Sequence, residues 1–169
     1  MKELFSTIMP YYGLLKNIMA TIGFVLTLLI IYLYSSNVLT ILYRLGKGLA
    51  KRDIAVFDEN GSYESLRDSL VDSKLFKSKR VHQIHKDSID KARKYSIFLV
   101  HYNVYQNEFD KILALKDDAT ALIVYAPQSE GRISDADMNK INDKRNAIVV
   151  NFRGRLINDI LISLITTSF

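Results

Sequence analysis

The chain has 169 residues, a net charge of +5 and no cysteine, which excludes disulfide bonds, thiolate zinc sites and a cysteine nucleophile. The net positive charge comes from residues 1–52, which hold six basic residues and one acidic residue. Residues 53–169 hold 17 basic and 17 acidic residues. A domain without net charge lacks the basic surface that nucleic-acid binding requires, so we expect no nucleic-acid partner.

The first predicted element is a long uncharged stretch from Asn17 to Tyr43. Its 27 residues exceed the roughly 20 apolar residues that a helix needs to cross a bilayer. Buried helices of globular proteins seldom stay free of charge over more than about 14 residues. We therefore predict a membrane anchor with a basic juxtamembrane segment over residues 1–52, and an α/β domain over residues 53–169.

Basic residues on the two sides of the span predict its orientation. Two of them precede the span and four follow it: Lys2 and Lys16, then Arg44, Lys47, Lys51 and Arg52. Basic residues stay on the cytoplasmic side of a membrane. We therefore expect a single-pass protein of the cell membrane, with its N-terminus outside and its C-terminal domain in the cytosol.

The uncharged stretch is longer than one crossing needs, and two arrangements account for the surplus. In the first, one tilted helix uses the whole stretch. In the second, the helix breaks near Ser35, Ser36 and Asn37, and residues 38–49 lie as an amphipathic helix on the inner membrane surface. The tyrosines suited to anchoring at the membrane surface are Tyr11, Tyr12, Tyr32, Tyr34 and Tyr43.

Small residues form a stripe along the predicted span. Gly13, Ala20, Gly23 and Thr27 fall on one side of a helix with 3.6 residues per turn. Small side chains let helices approach closely in lipid. The stripe predicts a homo-oligomer that associates through its spans within the lipid bilayer.

Five predicted strands alternate with five predicted helices in residues 53–169. Continuous apolar runs predict strands at 54–57, 96–100, 119–126 and 146–152, and a weaker run predicts an edge strand at 80–85. Helical periodicity predicts helices at 63–75, 88–95, 108–116, from 134 onward and from 156 onward, with Ser88 and Ser134 as caps. The alternation favours a doubly wound parallel sheet in the flavodoxin-like order 2-1-3-4-5.

The last predicted helix is strongly amphipathic. Its apolar stripe consists of Leu156, Ile157, Ile160, Leu161, Leu164 and Ile165. Because Leu161 lies in the middle of the stripe, we expect the helix to dock on the sheet and Leu161→Asp to unfold the domain.

The order of elements resembles that of TIR and TIR-like domains and, more distantly, that of response-regulator receivers. The segments that carry the resemblance are DIAVFDE (53–59), SYESLRDSL (62–70), KARKYSIFLVHYNVYQNEF (91–109) and ATALIVYAP (119–127), with Tyr102, Tyr105 and Asn107 after the third strand. Membrane-anchored chains of this architecture resemble small components of bacterial antiviral defence and nucleotide signalling. The resemblance therefore implies a role in signalling.

Two departures from these families bear on chemistry. Enzymatic TIR domains cleave NAD with a glutamate in the helix after the third strand, where alignment places Ile112, with Glu108 about one turn earlier. Receivers carry a phosphoacceptor aspartate at the end of the third strand, where this chain has His101, Tyr102 and Asn103. The departures imply a domain with no catalytic residue and no cofactor.

We therefore expect the domain to sense or transmit a signal through assembly that a ligand or partner drives. An enzyme that acts on a nucleotide such as NAD is one alternative. A structural membrane subunit that docks a protein partner is another.

Polar residues follow the predicted strands at the edge where doubly wound sheets bind ligands. The candidates for ligand binding are Asp58, Asn60, His101, Asn103, Gln128, Arg153 and Arg155. The two arginines open the last helix, where they suit a phosphate group. The set fits a small ligand such as a nucleotide, and it also fits ordinary polar loops. We expect no metal site, because His82 and His85 would face opposite sides of a strand.

Overall fold

A computed structural model describes the backbone of residues 2–59 and 61–167, and the side chains of residues 12–59 and 61–167. The chain divides into two compact units, Met1–Tyr43 and Arg44–Phe169. The first unit contains helix α1 (Lys2–Ser35) and the beginning of helix α2 (Val38–Lys51). Residues 44–52, which the sequence analysis grouped with the anchor, belong to the second unit.

Helix α1 contains one segment, Tyr12–Ser35, that is long and apolar enough to cross a membrane, with a mean hydropathy of 2.1. The helix ends at Ser35, and the next begins at Val38. Between them Asn37 has a positive φ of 59°, a left-handed conformation that asparagine tolerates better than most residues. The backbone therefore breaks where the second of the two predicted arrangements requires it.

The C-terminal part of α2 packs within the second unit. Leu45 and Leu49 contact the apolar core there, and Gly48 is buried against Leu164. These two leucines therefore cover protein core, which differs from the amphipathic helix on lipid that the sequence suggested for all of residues 38–49.

The second unit is built on a five-stranded parallel sheet. Its strands are β1 (Ile54–Phe57), β2 (Val81–Gln83), β3 (Ile97–His101), β4 (Ala121–Tyr125) and β5 (Ala147–Val150), in the order β2-β1-β3-β4-β5. The predicted α/β class, the parallel sheet and the strand order are confirmed. Every residue of β1, β3 and β4 is buried, as continuous apolar runs predict for strands that are covered on both faces.

Helices cover both faces of the sheet. They are α3 (Ser62–Asp72), α4 (Tyr102–Tyr105), α5 (Phe109–Leu115), α6 (Asp135–Asn142) and α7 (Leu156–Thr166). Alternate residues of the strands point to opposite faces, so that Ile54 and Val56 pack with α3 and α7. Ala55 and Phe57 pack on the other face, with α5 and with Ile141 of α6.

The second crossover differs from the predicted α-helix. Residues Lys86–Lys94 form 3-10 turns with a kink at Ser88, whose Oγ donates to the His85 carbonyl at 3.4 Å, so the predicted α-helix from Ser88 does not form. Only Ile89 and Ala92 are buried there, and their spacing of three matches the 3-10 period. The predicted cap at Ser134 is confirmed, because its Oγ accepts a hydrogen bond of 3.1 Å from the Asp137 amide.

Candidate functional site

The order of the strands places a topological switch between β1 and β3. From β1 the chain crosses to β2 on one side, and from β2 it returns past β1 to β3 on the other. Parallel sheets of this kind bind ligands beyond the carboxyl ends of the strands at such a point. Asp58 directly follows β1, and His101 is the last residue of β3. The fold thus brings two predicted ligand-binding residues together at its switch point.

Three ionisable side chains that contact one another occupy the switch point: Asp58, His101 and Glu130. His101 Nδ1 lies 3.1 Å from Asp58 Oδ1, and His101 Nε2 lies 2.8 Å from Glu130 Oε2. Asp58 is fully buried and His101 is 4% exposed, whereas Glu130 is exposed. An imidazolium between two carboxylates satisfies both of its N–H donors, which a neutral imidazole cannot do.

Burial and the neighbouring carboxylates act on the pKa of His101 in opposite directions. Burial lowers the pKa, while hydrogen bonds and charge attraction from Asp58 and Glu130 raise it, and the net result is a pKa above the ordinary value of 6.5. The protonated, doubly donating form is therefore favoured at the switch point.

The backbone after β1 fixes the position of Asp58. Its Oδ1 accepts hydrogen bonds from the Glu59 amide at 2.8 Å and from the Ser62 hydroxyl at 2.7 Å. Gly61 has a φ of 66°, and this left-handed conformation turns the chain into α3 so that Ser62 faces back toward Asp58. Asp58 Oδ2 is buried and has no hydrogen-bond partner among the described residues. A buried carboxylate oxygen without a partner is costly unless a ligand supplies a donor.

Tyr105 lies close to the carboxylates of Glu59, Asp58 and Glu108. The Tyr105 hydroxyl donates to the Ile84 carbonyl and lies 3.5 Å from Glu59 Oε1. Burial, together with the charges of Glu59, Asp58 and Glu108, raises the pKa of Tyr105 well above its ordinary value. Glu108 Oε2 is the second buried side-chain oxygen in the described part of the chain that lacks a partner. The switch point is therefore rich in acceptors and suits a ligand with N–H, O–H or cationic groups.

The other predicted ligand-binding residues lie in different surroundings. Asn103 lies next to the three side chains at the switch point, because its Nδ2 donates to the Glu130 carbonyl at 2.8 Å. Gln128 is exposed and lines a cavity next to α6. Arg153 donates to the Ser65 hydroxyl at 2.6 Å, and Arg155 lies 3.9 Å from Asp159 on its own helix. Asn60 lies outside the described residues.

Sequence reasoning missed several residues of this site. Glu130 sits in a 3-10 turn, Gln128–Glu130, and the sequence analysis named only Gln128 from this turn. Ser62 and Tyr105 belong to the segments that carry the resemblance, and the sequence predicted no role for either at the site. The signal for Ser62 was present in its spacing of four from Asp58, which places a hydroxyl at the start of a helix near the end of a strand. No such local signal exists for Glu130, which lies 29 residues from His101.

Within residues 12–59 and 61–167, no cluster of three or more histidine, aspartate or glutamate side chains is arranged to hold a metal ion. Comparison of the chain with protein-family models, with curated proteins and with solved structures gave no match. The arrangement of the site therefore carries the functional argument. It is a buried imidazole held between two carboxylates, one of which has an oxygen without a partner among the described residues, in an α/β domain with a flavodoxin-like sheet.

Proposed function

We propose that this chain is a single-pass membrane protein whose TIR-like domain binds a nucleotide at the switch point and transmits that event by assembly. The observation that carries the proposal is Oδ2 of the fully buried Asp58, which has no partner among the described residues and belongs to the carboxylate that contacts His101. The ribose hydroxyls of a nucleotide supply donors to such oxygens. Tyr12–Ser35 serves as the membrane span in this proposal.

The site supports binding better than it supports proton transfer to a substrate. Both ring nitrogens of His101 face carboxylates, so neither is left to act on a ligand. A ligand that donates to Asp58 instead relieves the cost of a buried oxygen, which is a gain available only in the bound state. Binding of this kind can shift the domain between two assembly states.

Thermal unfolding of the full-length protein in detergent, with NAD and ADP-ribose as probes, tests the proposal. A ligand that binds only the folded state stabilises it by about 2.7 kcal/mol at a hundredfold excess over its Kd. We expect stabilisation of the wild type and its loss in Asp58→Asn. The matched control is Asp68→Asn, at an exposed carboxylate of α3 that should retain the ligand effect. Equal stabilisation of Asp58→Asn and the wild type would place the ligand elsewhere.

An enzyme that cleaves NAD is the second candidate, and Glu108 is the residue that favours it. Its Oε2 is buried without a partner among the described residues, and its charge acts on Tyr105. Ile112, which the resemblance places at the catalytic position, is fully buried in the core, so it contributes no chemistry. We still expect no cleavage of NAD by the full-length protein, and turnover that Glu108→Ala abolishes would contradict this expectation.

A further inference from the structure

A cavity of about 620 Å³ lies beside the switch point, between the end of β4, the loop that follows it and α6. Its volume falls within the range of roughly 300–1,000 Å³ that small-molecule sites occupy. Four apolar residues line it: Ala126, Ile133, Met138 and Val149. The cavity thus offers an apolar wall of a size that suits a small ligand.

Two opposite charges also line the cavity. The side chains of Arg132 and Asp135 have no hydrogen bond or ion pair in the described part of the chain, and they do not pair with each other. The side-chain amides of Gln128 and Asn151 lie at the same cavity and are likewise without partners among the described side chains. A cation, an anion and two amides therefore border one cavity that also has an apolar wall.

The wall of the cavity is fixed in place at both ends of the loop. At one end, Glu130 is held by His101 Nε2 at 2.8 Å and by Asn103 Nδ2, which reaches its carbonyl at 2.8 Å. At the other end, the Tyr102 hydroxyl donates to Asp137 at 2.7 Å. A wall that is already ordered costs a ligand little conformational entropy on binding.

We propose that this cavity binds a small zwitterion with an apolar body, the chemistry of a free amino acid. Arg132 pairs with the carboxylate, Asp135 pairs with the ammonium group, and the apolar side chain lies against Ile133 and Met138. A ligand with only an anionic group leaves Asp135 unpaired, and the two negative charges repel each other. A ligand with only a cationic group leaves Arg132 unpaired, and the two positive charges repel each other. This site is separate from the nucleotide site proposed at Asp58 and stands without it.

Met138 supplies a reporter for the test. It is the only one of the four methionines that lies beyond residue 19, so its methyl signal stands apart from those of the anchor. Full-length protein with labelled methionine methyl groups is titrated in detergent with L-leucine. Parallel titrations use L-leucinamide, which lacks the carboxylate, and 4-methylpentanoate, which lacks the ammonium group. We expect saturable shifts of the Met138 signal with leucine, and binding about tenfold or more weaker for each of the other two probes.

Two substitutions assign the charges. Arg132→Gln should bind leucine and leucinamide equally, and Asp135→Asn should bind leucine and 4-methylpentanoate equally. Arg145→Gln and Asp118→Asn are the matched controls, because these two exposed residues pair with each other away from the cavity and should bind leucine as the wild type does. The proposal is overturned if millimolar leucine leaves the Met138 signal unmoved, or if the wild type binds all three probes equally. Loss of nucleotide stabilisation in Asp58→Asn with unchanged leucine binding would separate this site from the switch point.

Discussion

His101 joins three separate stretches of the chain through its two ring nitrogens. Nδ1 contacts the residue that follows β1, and Nε2 contacts Glu130 in the loop after β4. Because the folded state raises the pKa of His101 above 6.5, protonation of this side chain contributes to the free energy of unfolding. That contribution is fully present below about pH 6.5 and is lost as the pH rises through the raised value.

We therefore expect the loss of stability in His101→Gln to be largest on the acidic side of about pH 6.5 and to shrink as the pH rises. Denaturant unfolding of the full-length protein in detergent, at pH values on both sides of this point, measures the difference. His85→Gln is the control, because His85 is exposed and contacts no carboxylate in the described structure. A difference that stays constant or grows with pH would show that protonated His101 does not bind its two carboxylates.

At the scale of single elements, helix α2 shows a contact that depends on the absence of a side chain. A Cβ atom at Gly48 would lie 3.0 Å from Leu164 Cδ2 and 3.2 Å from Leu164 Cβ. Gly46, in the same helix, has no atom within 4 Å of such a position. Close approach of α2 to α7 therefore requires glycine at position 48 and not at position 46.

Gly48→Val should destabilise the domain by about 1–3 kcal/mol through overpacking. Gly46→Val is a matched control, since both substitutions replace glycine with valine in one helix and change helix propensity alike. Chemical denaturation of the two full-length variants gives the difference. If Gly48→Val proves as stable as Gly46→Val, then α2 does not pack on α7 in solution.

In helix α7, the sequence predicts the helix and its apolar stripe but not the burial of each residue. The apolar stripe correctly predicted an amphipathic helix, but Ile160 and Leu164 are fully buried while Leu161 is only partly buried. Asp159 and Ser163 are buried although both are polar, and no local pattern in the sequence predicts their burial. The strands were predictable because an apolar run is visible in consecutive residues. The contact of Glu130 with His101 joins residues that are 29 positions apart, and it exists only in the folded protein.

This partial burial of Leu161 changes the expected effect of a charge in α7. Ile160→Asp should unfold the domain, because an unpaired buried charge costs several kcal/mol, comparable to the stability of a whole domain. Leu161→Asp should cost less than that, since its carboxylate can reach water, and Ile162→Asp should cost least because Ile162 is 51% exposed. Circular dichroism of the three variants ranks them, and an unfolded Ile162→Asp would contradict this ranking.

At the scale of the whole molecule, the charges that flank the apolar segment predict its orientation in a membrane. Four basic residues follow Tyr12–Ser35, whereas Lys2 alone precedes it and Lys16 lies near its N-terminal end, which favours a cytosolic C-terminal domain. A reporter fused after residue 169 should therefore read as cytosolic in intact cells. Labelling of that reporter by an impermeant reagent from outside would reverse the proposed orientation.

Assembly is the second property of the whole molecule that follows from the proposed function. A ligand can drive assembly only if its affinity differs between the separate and the associated states. Anchoring in a membrane raises the effective concentration of the domains, so weak contacts between domains become sufficient. Ala20 and Gly23 belong to the stripe of small residues with Gly13 and Thr27, and they permit close approach of spans in lipid.

We expect the full-length protein to form homo-oligomers in detergent that Ala20→Leu or Gly23→Leu weakens. Thr21→Leu is the control, because position 21 lies about 100° around the helix from Ala20 and off the stripe. The fragment 44–169, which keeps the contact of Gly48 with Leu164, should be monomeric or nearly so. Mass measurement of the variants and of the fragment distinguishes the outcomes. An oligomer of equal size from the fragment would assign association to the domain and remove the span from the mechanism.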